Sequence, residues 1–328
     1  MKGLAIINPS SGKQMVQKNA LDAISMMLSK GVAKEIHLFY TQKKNDGKNR
    51  VAEIRKGEYD FVMAVGGDGT VNEVVNGLVN SGTKTPLVIV GAGTINDYAT
   101  AMAIPKKPVH ICEMVKNMNT VLSDVGKIND NYFLNVAAGG ILSEVAHNVS
   151  SDLKTSFGKM AYYFAGLKDL TSLKLDTTPL KFELDDGITF VEDVFCFVIA
   201  NTSSVGGFAR ITPKAKINDG KLDLCILKKI DPLEMLPAAL KIQTGTHIDS
   251  PWISYYQSSN IKVSPASDVT KSFPVDFDGE NGGILPICVE TCNQAIKLVV
   301  PNENLRLVMK ETAASEEENF VDSVFYNK

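Results

Sequence analysis

The residues best suited to chemistry are Gly66-Gly67-Asp68-Gly69-Thr70-Val71-Asn72-Glu73, where three glycines, two carboxylates, a hydroxyl and an amide fall within eight positions. Glycines let a ligand approach the backbone, and the free N–H groups of a first helical turn attract anions, so the chemistry is phosphate binding. The chain echoes the pattern in Gly93-Thr94-Ile95-Asn96-Asp97. Thr70 with Glu73 and Thr94 with Asp97 also fit capping boxes, which leaves a helix-capping reading open for each pair. Asp68 lies ahead of that cap and between glycines, and it is read as functional. A third polar loop, Asn8-Pro9-Ser10-Ser11-Gly12-Lys13, opens the chain. It is not a Walker A loop, because no glycine stands five residues before Gly12.

The elements that must position these loops follow from the apolar pattern. Residues 61–65 and 86–90 are continuous apolar runs, as expected of strands covered on both faces, and Val71, Val74, Val75 and Leu78 mark one face of a helix. With strands at 4–7 and 35–40 and helices at 16–28 and 49–56, the first 124 residues alternate strand and helix, which predicts a parallel sheet with helices on both faces. The three loops then converge on one sheet edge, where open α/β sheets bind ligands. Thr41 falls on that edge, where its hydroxyl can start a turn.

Beyond residue 124 the texture changes to short strands at 132–136, 180–184, 193–199, 222–227, 260–263, 287–290 and 295–300, separated by turn signals such as Asn218-Asp219-Gly220. This spacing predicts a mainly antiparallel β-sandwich domain over 125–302. A helix over 157–170 carries an apolar stripe readable as core or as lipid contact. Residues 303–328 are expected to pack back on the first domain or fray, with Glu316-Glu317-Glu318 a solvated face.

Composition excludes several classes. At 328 residues the chain accommodates two cores, and its net charge of −3 argues against nucleic-acid binding. Its five cysteines form no C-x-x-C pair and read as reduced thiols of a cytosolic protein. The start runs straight into a strand, so no signal peptide is expected, and no stretch reaches the roughly 20 apolar residues of a membrane span.

Five motifs, N-P-S-S-G-K at 8–13, G-G-D-G-T-V-N-E-V at 66–74, G-T-I-N-D-Y-A at 93–99, D-G-K-L-D at 219–223 and D-G-E at 278–280, stand in the order of the diacylglycerol kinase family, which the chain resembles over nearly its whole length. The resemblance implies an N-terminal fold like that of phosphofructokinases and NAD kinases. It also implies ATP and Mg²⁺ as cofactors, and a cytoplasmic enzyme that touches the inner leaflet peripherally to phosphorylate diacylglycerol or a related neutral lipid to phosphatidic acid. The nucleotide is expected on Asn8, Ser10, Ser11, Gly12, Lys13, Thr41, Gly66, Gly67, Asp68, Gly69, Thr70, Asn72, Glu73, Thr94, Asn96 and Asp97.

Asp68, Asp97 and Asp124 are candidate oxygen ligands for Mg²⁺, with a domain-boundary turn as the other reading of Asp124. By resemblance Glu280 accepts the proton, supported by Asp278 and with Asp68 completing the catalytic set; a hairpin turn with exposed acids is the alternative. Asp219, with backbone carbonyls near Lys216 and Lys221, resembles a second cation site, though Asp-Gly is itself a hairpin signal. One departure is Tyr98-Ala99-Thr100, where relatives commonly carry Phe-Ala-Arg; Lys106 or Lys159 substitutes for that cation, or the acceptor differs. The alternatives are an NAD kinase-like phosphotransferase and a catalytically weak nucleotide-binding regulator, and a homodimer is left open.

Overall fold

The structure, a computed structural model, describes residues 1–10, 14–91, 97–140, 177–205, 210–231, 234–267 and 273–302. Expectations for Ser11, Gly12, Lys13, Thr94, Asn96, Lys159, the helix at 157–170 and the segment 303–328 lie outside the described residues. Strands β1 (Lys2–Ile7), β2 (Glu35–Tyr40), β3 (Phe61–Gly66) and β4 (Leu87–Gly91) form a parallel sheet in the order β4-β3-β1-β2. Every residue of β3 is buried, as its unbroken apolar run requires, while edge strand β2 is largely exposed. Ile7 pairs with Val65 on one side and Tyr40 on the other, so the loops after β1, β2 and β3 emerge side by side.

Helices α1 (Gln14–Ser29), α2 (Asp46–Ala52), α3 (Asp68–Ser81), α4 (Asp97–Ala101) and α5 (Pro108–Asn117) belong to this first region. Apolar residues of α1, α3 and α5, including Met27, Val74 and Val115, join Ile6, Met63 and Ile89 of the sheet in one buried cluster. Helix α5 was not read from the sequence, although Ile111, Met114 and Val115 give it a buried face.

The second region is antiparallel. It comprises β5 (Thr120–Ile128), β6 (Asn131–Phe133), β7 (Val136–Gly140), β8 (Thr178–Leu184), β9 (Thr189–Ala200), β10 (Leu222–Lys228), α6 (Met235–Thr244), β11 (Ile253–Ser258), β12 (Asn260–Pro265), β13 (Pro274–Phe277), β14 (Glu280–Ile284) and β15 (Ile287–Val299). Its core holds Phe133, Phe182, Phe197, Leu224, Phe277 and Val289, and a further cluster seats Ile242 of α6 and Trp252 against β9 and β10.

The two regions are joined by β15, which pairs with β12 at its start, runs antiparallel to β5, and sets Leu298 beside Leu87 of β4. The sequence suggested two strands here, at 287–290 and 295–300, but the structure has one. A register shift between Cys292 and Ile296 interrupts the pairing with β5, and Gln294 there takes a φ of 49°. That bulge breaks the apolar alternation and made one strand look like two. The boundary expected at Asp124 falls within β5.

Candidate active site

The glycine turn works by close packing. Gly67 is the N-cap of α3 in extended conformation, and the cap has no side-chain hydrogen bond. A Cβ on Gly66 would lie 2.3 Å from Thr70 Oγ1, so only glycine lets Thr70 fold back over the strand end. Thr70 Oγ1 accepts a 3.2 Å bond from Asn8 Nδ2, and Asn8 Oδ1 accepts from the Ser10 N–H at 3.0 Å and hydroxyl at 2.8 Å. The loops after β1 and β3 are thereby locked together.

The capping-box reading of Thr70 and Glu73 does not hold. Glu73 accepts instead from the N–H groups of Asn45 (2.7 Å) and Gly47 (3.0 Å), so it caps the start of neighbouring α2. Asp46 in turn accepts from the N–H groups of Gln42 (2.9 Å) and Lys43 (3.0 Å), and those bonds hold its carboxyl below the ordinary value. Thr41 N–H is bound to the Ile7 carbonyl. The whole Thr41–Asn45 loop is therefore pinned by two carboxylates and the end of β1.

Between these loops lies an open cleft of about 340 Å³, lined by Asn8, Ser10, Thr41, Gln42, Lys43, Lys44, Gly67, Gly69, Thr70, Glu73 and Glu280. Eight of these were read from the sequence. Gln42, Lys43 and Lys44 were not; the signal was the pair of lysines after Thr41-Gln42. Asp68 is the first residue of α3, between two glycines that line the cleft. Asp97 opens α4, and its side chain lies outside what is described.

Glu280 comes from the antiparallel region. Phe277 pairs with Glu280 across the β13–β14 hairpin, and Asp278 and Gly279 take φ values of 46° and 83°, as a two-residue type I′ turn needs. Its carboxylate projects over α3, with Oε1 3.4 Å from where a Cβ on Gly69 would stand, and Oε2 forms an ion pair with Lys44 Nζ.

Asp278 faces inward. Its carboxylate accepts from the N–H groups of Leu134 (2.6 Å), Asn135 (3.1 Å) and Val136 (2.9 Å) and from Asn72 Nδ2 (3.0 Å). Three successive N–H groups around one anion make a nest. Burial pushes this carboxyl above its ordinary value, and the same four donors pull it down. Asn72, expected near the nucleotide, also donates to the Tyr132 carbonyl at 2.9 Å and is not among the cleft-lining residues. Asp278 and Asn72 thus tie α3 to the β6–β7 loop and the hairpin that carries Glu280.

Asp124 is fully buried within β5, where it accepts from Gly220 N–H at 2.7 Å and Gln294 N–H at 2.6 Å. Burial, opposed by those two bonds and aided by the charge of Asp219, raises it. Asp219 is raised by burial, against the Lys221 N–H and the charges of Lys216 and Lys221. A buried carboxylate and an exposed one close enough to feel each other's charge, beside backbone turns, could hold a hard cation such as Mg²⁺. Among the described residues no three His, Cys, Asp or Glu side chains converge as a metal site. Thr100 is exposed, and Lys106 uses its backbone carbonyl to accept from Asn19.

A sheet edge of glycine and polar loops, faced by a carboxylate from a second, antiparallel region, is the layout a two-region phosphotransferase would need. Comparison with known proteins is specific. A family model described as "Diacylglycerol kinase catalytic domain" matches residues 2–128, and one described as "YegS C-terminal NAD kinase beta sandwich-like domain" matches residues 135–300. A diacylglycerol kinase of Bacillus subtilis is 34% identical over 305 residues, covering 91% of this chain and 96% of that one. One of Staphylococcus carnosus is 30% identical over 308 residues, covering 93% and 98%. A solved diacylglycerol kinase structure from Bacillus anthracis shares the fold at a TM-score of 0.68 and 20% identity, covering 92% of this chain and 97% of that one. The chain belongs to the diacylglycerol kinase family, and it is a kinase that transfers phosphate to an alcohol.

Proposed function

We propose that the protein transfers the γ-phosphoryl group of ATP to the hydroxyl of diacylglycerol or a closely related neutral lipid, giving phosphatidic acid. The observation that carries this reading is Glu280, which reaches from the antiparallel region into the cleft built by the glycine turn. The α3 N-terminus, the Ser10 loop and the two lysines after Thr41 offer backbone donors and positive charge for a triphosphate. The lipid hydroxyl oxygen attacks Pγ, the bond from Pγ to the β-phosphate oxygen breaks with its electron pair leaving on ADP, and the hydroxyl proton passes to Glu280. Glu280 suits that part because it is partly exposed, at 32% of its side chain, and lies over the first turn of α3.

A divalent cation, when bound, would offset charge on the phosphates. Asp68 is the residue proposed to hold it at the cleft, and Asp124 with Asp219 would hold a second cation. Among the described residues no helix is long and apolar enough to cross a membrane, so the lipid hydroxyl is expected to be met from the bilayer surface.

The test is ATP consumption with and without diacylglycerol in mixed micelles. Consumption that requires diacylglycerol supports the reading. Consumption driven by NAD instead would make the protein an NAD kinase-like phosphotransferase, and nucleotide binding without turnover on either acceptor would make it a regulator.

A further inference from the structure

The ion pair between Lys44 and Glu280 ties the proposed base to a cation from the opposite region of the molecule. The arm that carries Lys44 is fixed: Thr41 N–H is held by Ile7, Gln42 and Lys43 N–H by Asp46, and Asn45 N–H by Glu73. The side chain itself is free to swing, being 68% exposed. An ion pair this exposed is worth little on its own and is easily exchanged. Both partners line the cleft that faces the α3 N-terminus.

Resting on the kinase reading, we propose that Lys44 is a phosphate-binding residue of the nucleotide cleft, and that a triphosphate takes it from Glu280. Two physical arguments converge on this exchange. A triphosphate presents several negative charges where Glu280 presents one, so Lys44 gains Coulomb energy by moving a few ångströms along the same cleft. Glu280 meanwhile takes a proton best through an oxygen that no ammonium holds, and Lys44 now engages Oε2. The Glu280 carboxylate raises Lys44 above its ordinary value, so the ammonium stays charged for either partner. Nucleotide binding therefore frees the base, and a lipid hydroxyl meeting the empty cleft finds Glu280 paired to Lys44 through Oε2.

The exchange has a consequence that a bystander lysine would not produce: removing the charge of Glu280 should help ATP bind, and do so only while Lys44 is present. ATP affinity is measured by calorimetry, with Mg²⁺ present, for the full-length protein and for Glu280→Gln, Lys44→Met, Lys44→Arg and the Lys44→Met/Glu280→Gln double variant. Glu280→Gln is expected to tighten ATP about twofold to fivefold, the range set by releasing a partly exposed ion pair. Lys44→Met is expected to weaken ATP about tenfold for loss of one charge-assisted phosphate contact, with Lys44→Arg recovering most of it. In the Lys44→Met background, Glu280→Gln should leave ATP affinity unchanged.

In steady-state assays Lys44→Met should raise the KM for ATP more than it lowers kcat. Unchanged ATP affinity in Glu280→Gln, or wild-type affinity in Lys44→Met, would overturn the exchange while leaving the kinase reading intact. If the unmodified protein shows no ATP binding at all, the kinase reading fails, and the exchange fails with it.

Discussion

Two Asp-Gly turns in the antiparallel region look alike in sequence and do opposite things. At Asp278-Gly279 the chain makes a true two-residue hairpin, and the Asp side chain turns inward to accept from three successive backbone N–H groups and from Asn72. At Asp219-Gly220 the turn precedes β10 and joins no hairpin; there the Gly220 N–H is the donor, and the acceptor is a second carboxylate, Asp124. The first turn consumes its negative charge internally and presents the next residue, Glu280, to the cleft. The second leaves Asp219 near the buried Asp124, each raised by burial, which is why a second cation is proposed there. A dipeptide signal identifies the turn, and what lies opposite the turn decides its role.

The comparison breaks most visibly at Asp278. Asp278→Ala strips the acceptor from three backbone N–H groups and places alanine at positive φ, for an expected loss of about 3–5 kcal/mol and a steep fall in turnover. Chemical denaturation and phosphoryl-transfer assays check both. If Asp278→Ala unfolds like wild type, the nest does not hold the hairpin.

A pH-dependent effect is expected next, from Asp223 on β10, which burial pushes up to about 6 against hydrogen bonds from Tyr255 and Gln257. Because its folded value is raised above the unfolded one, its contribution is fully present below about pH 4 and is lost as pH rises through about 6. Asp223→Asn should therefore gain on wild type by about 2–3 kcal/mol between pH 4 and 7, measured as the difference of their unfolding free energies. A pH-independent difference would contradict it.

Smallest should be Asp219→Asn, where only the Lys221 N–H loses a carboxylate acceptor. In metal-free buffer its stability should stay within about 1 kcal/mol of wild type. Adding Mg²⁺ should raise the unfolding midpoint of wild type and not of the variant; equal shifts would remove the cation from this turn.

Much of this was legible in the sequence, for identifiable reasons. The strands β1, β3 and β4 announce themselves because a parallel sheet buried on both faces demands unbroken apolar runs. The convergence of Asn8, Ser10, Thr41, Gly67, Gly69 and Thr70 on one edge follows from that alternation. Lys44 escaped because the loop after Thr41 is aimed only in part by its neighbour Asp46; Glu73 completes the job from α3. Asn72 was read with the glycine turn it follows, whereas the helical turn carries it away from the cleft toward Tyr132 and Asp278. Asp124 was grouped with Asp68 and Asp97 as a carboxylate following a strand-like segment, but it lies within β5, where the β15 bulge that delivers Gln294 N–H, together with the Gly220 turn, gives it different neighbours. Such partners, more than 90 residues away in sequence, leave no local pattern.

The central claim is that a carboxylate from the antiparallel region receives the proton of a hydroxyl phosphorylated in the cleft of the parallel one. It is tested most directly by Glu280→Gln, with γ-phosphoryl transfer to diacylglycerol and ATP affinity measured on the same preparation. The side chain keeps its shape and loses its basicity, so kcat should fall about 10²–10⁴-fold while ATP binds at least as tightly as before. A variant that turns over near the wild-type rate, or one whose only defect is weakened ATP binding, would contradict the account.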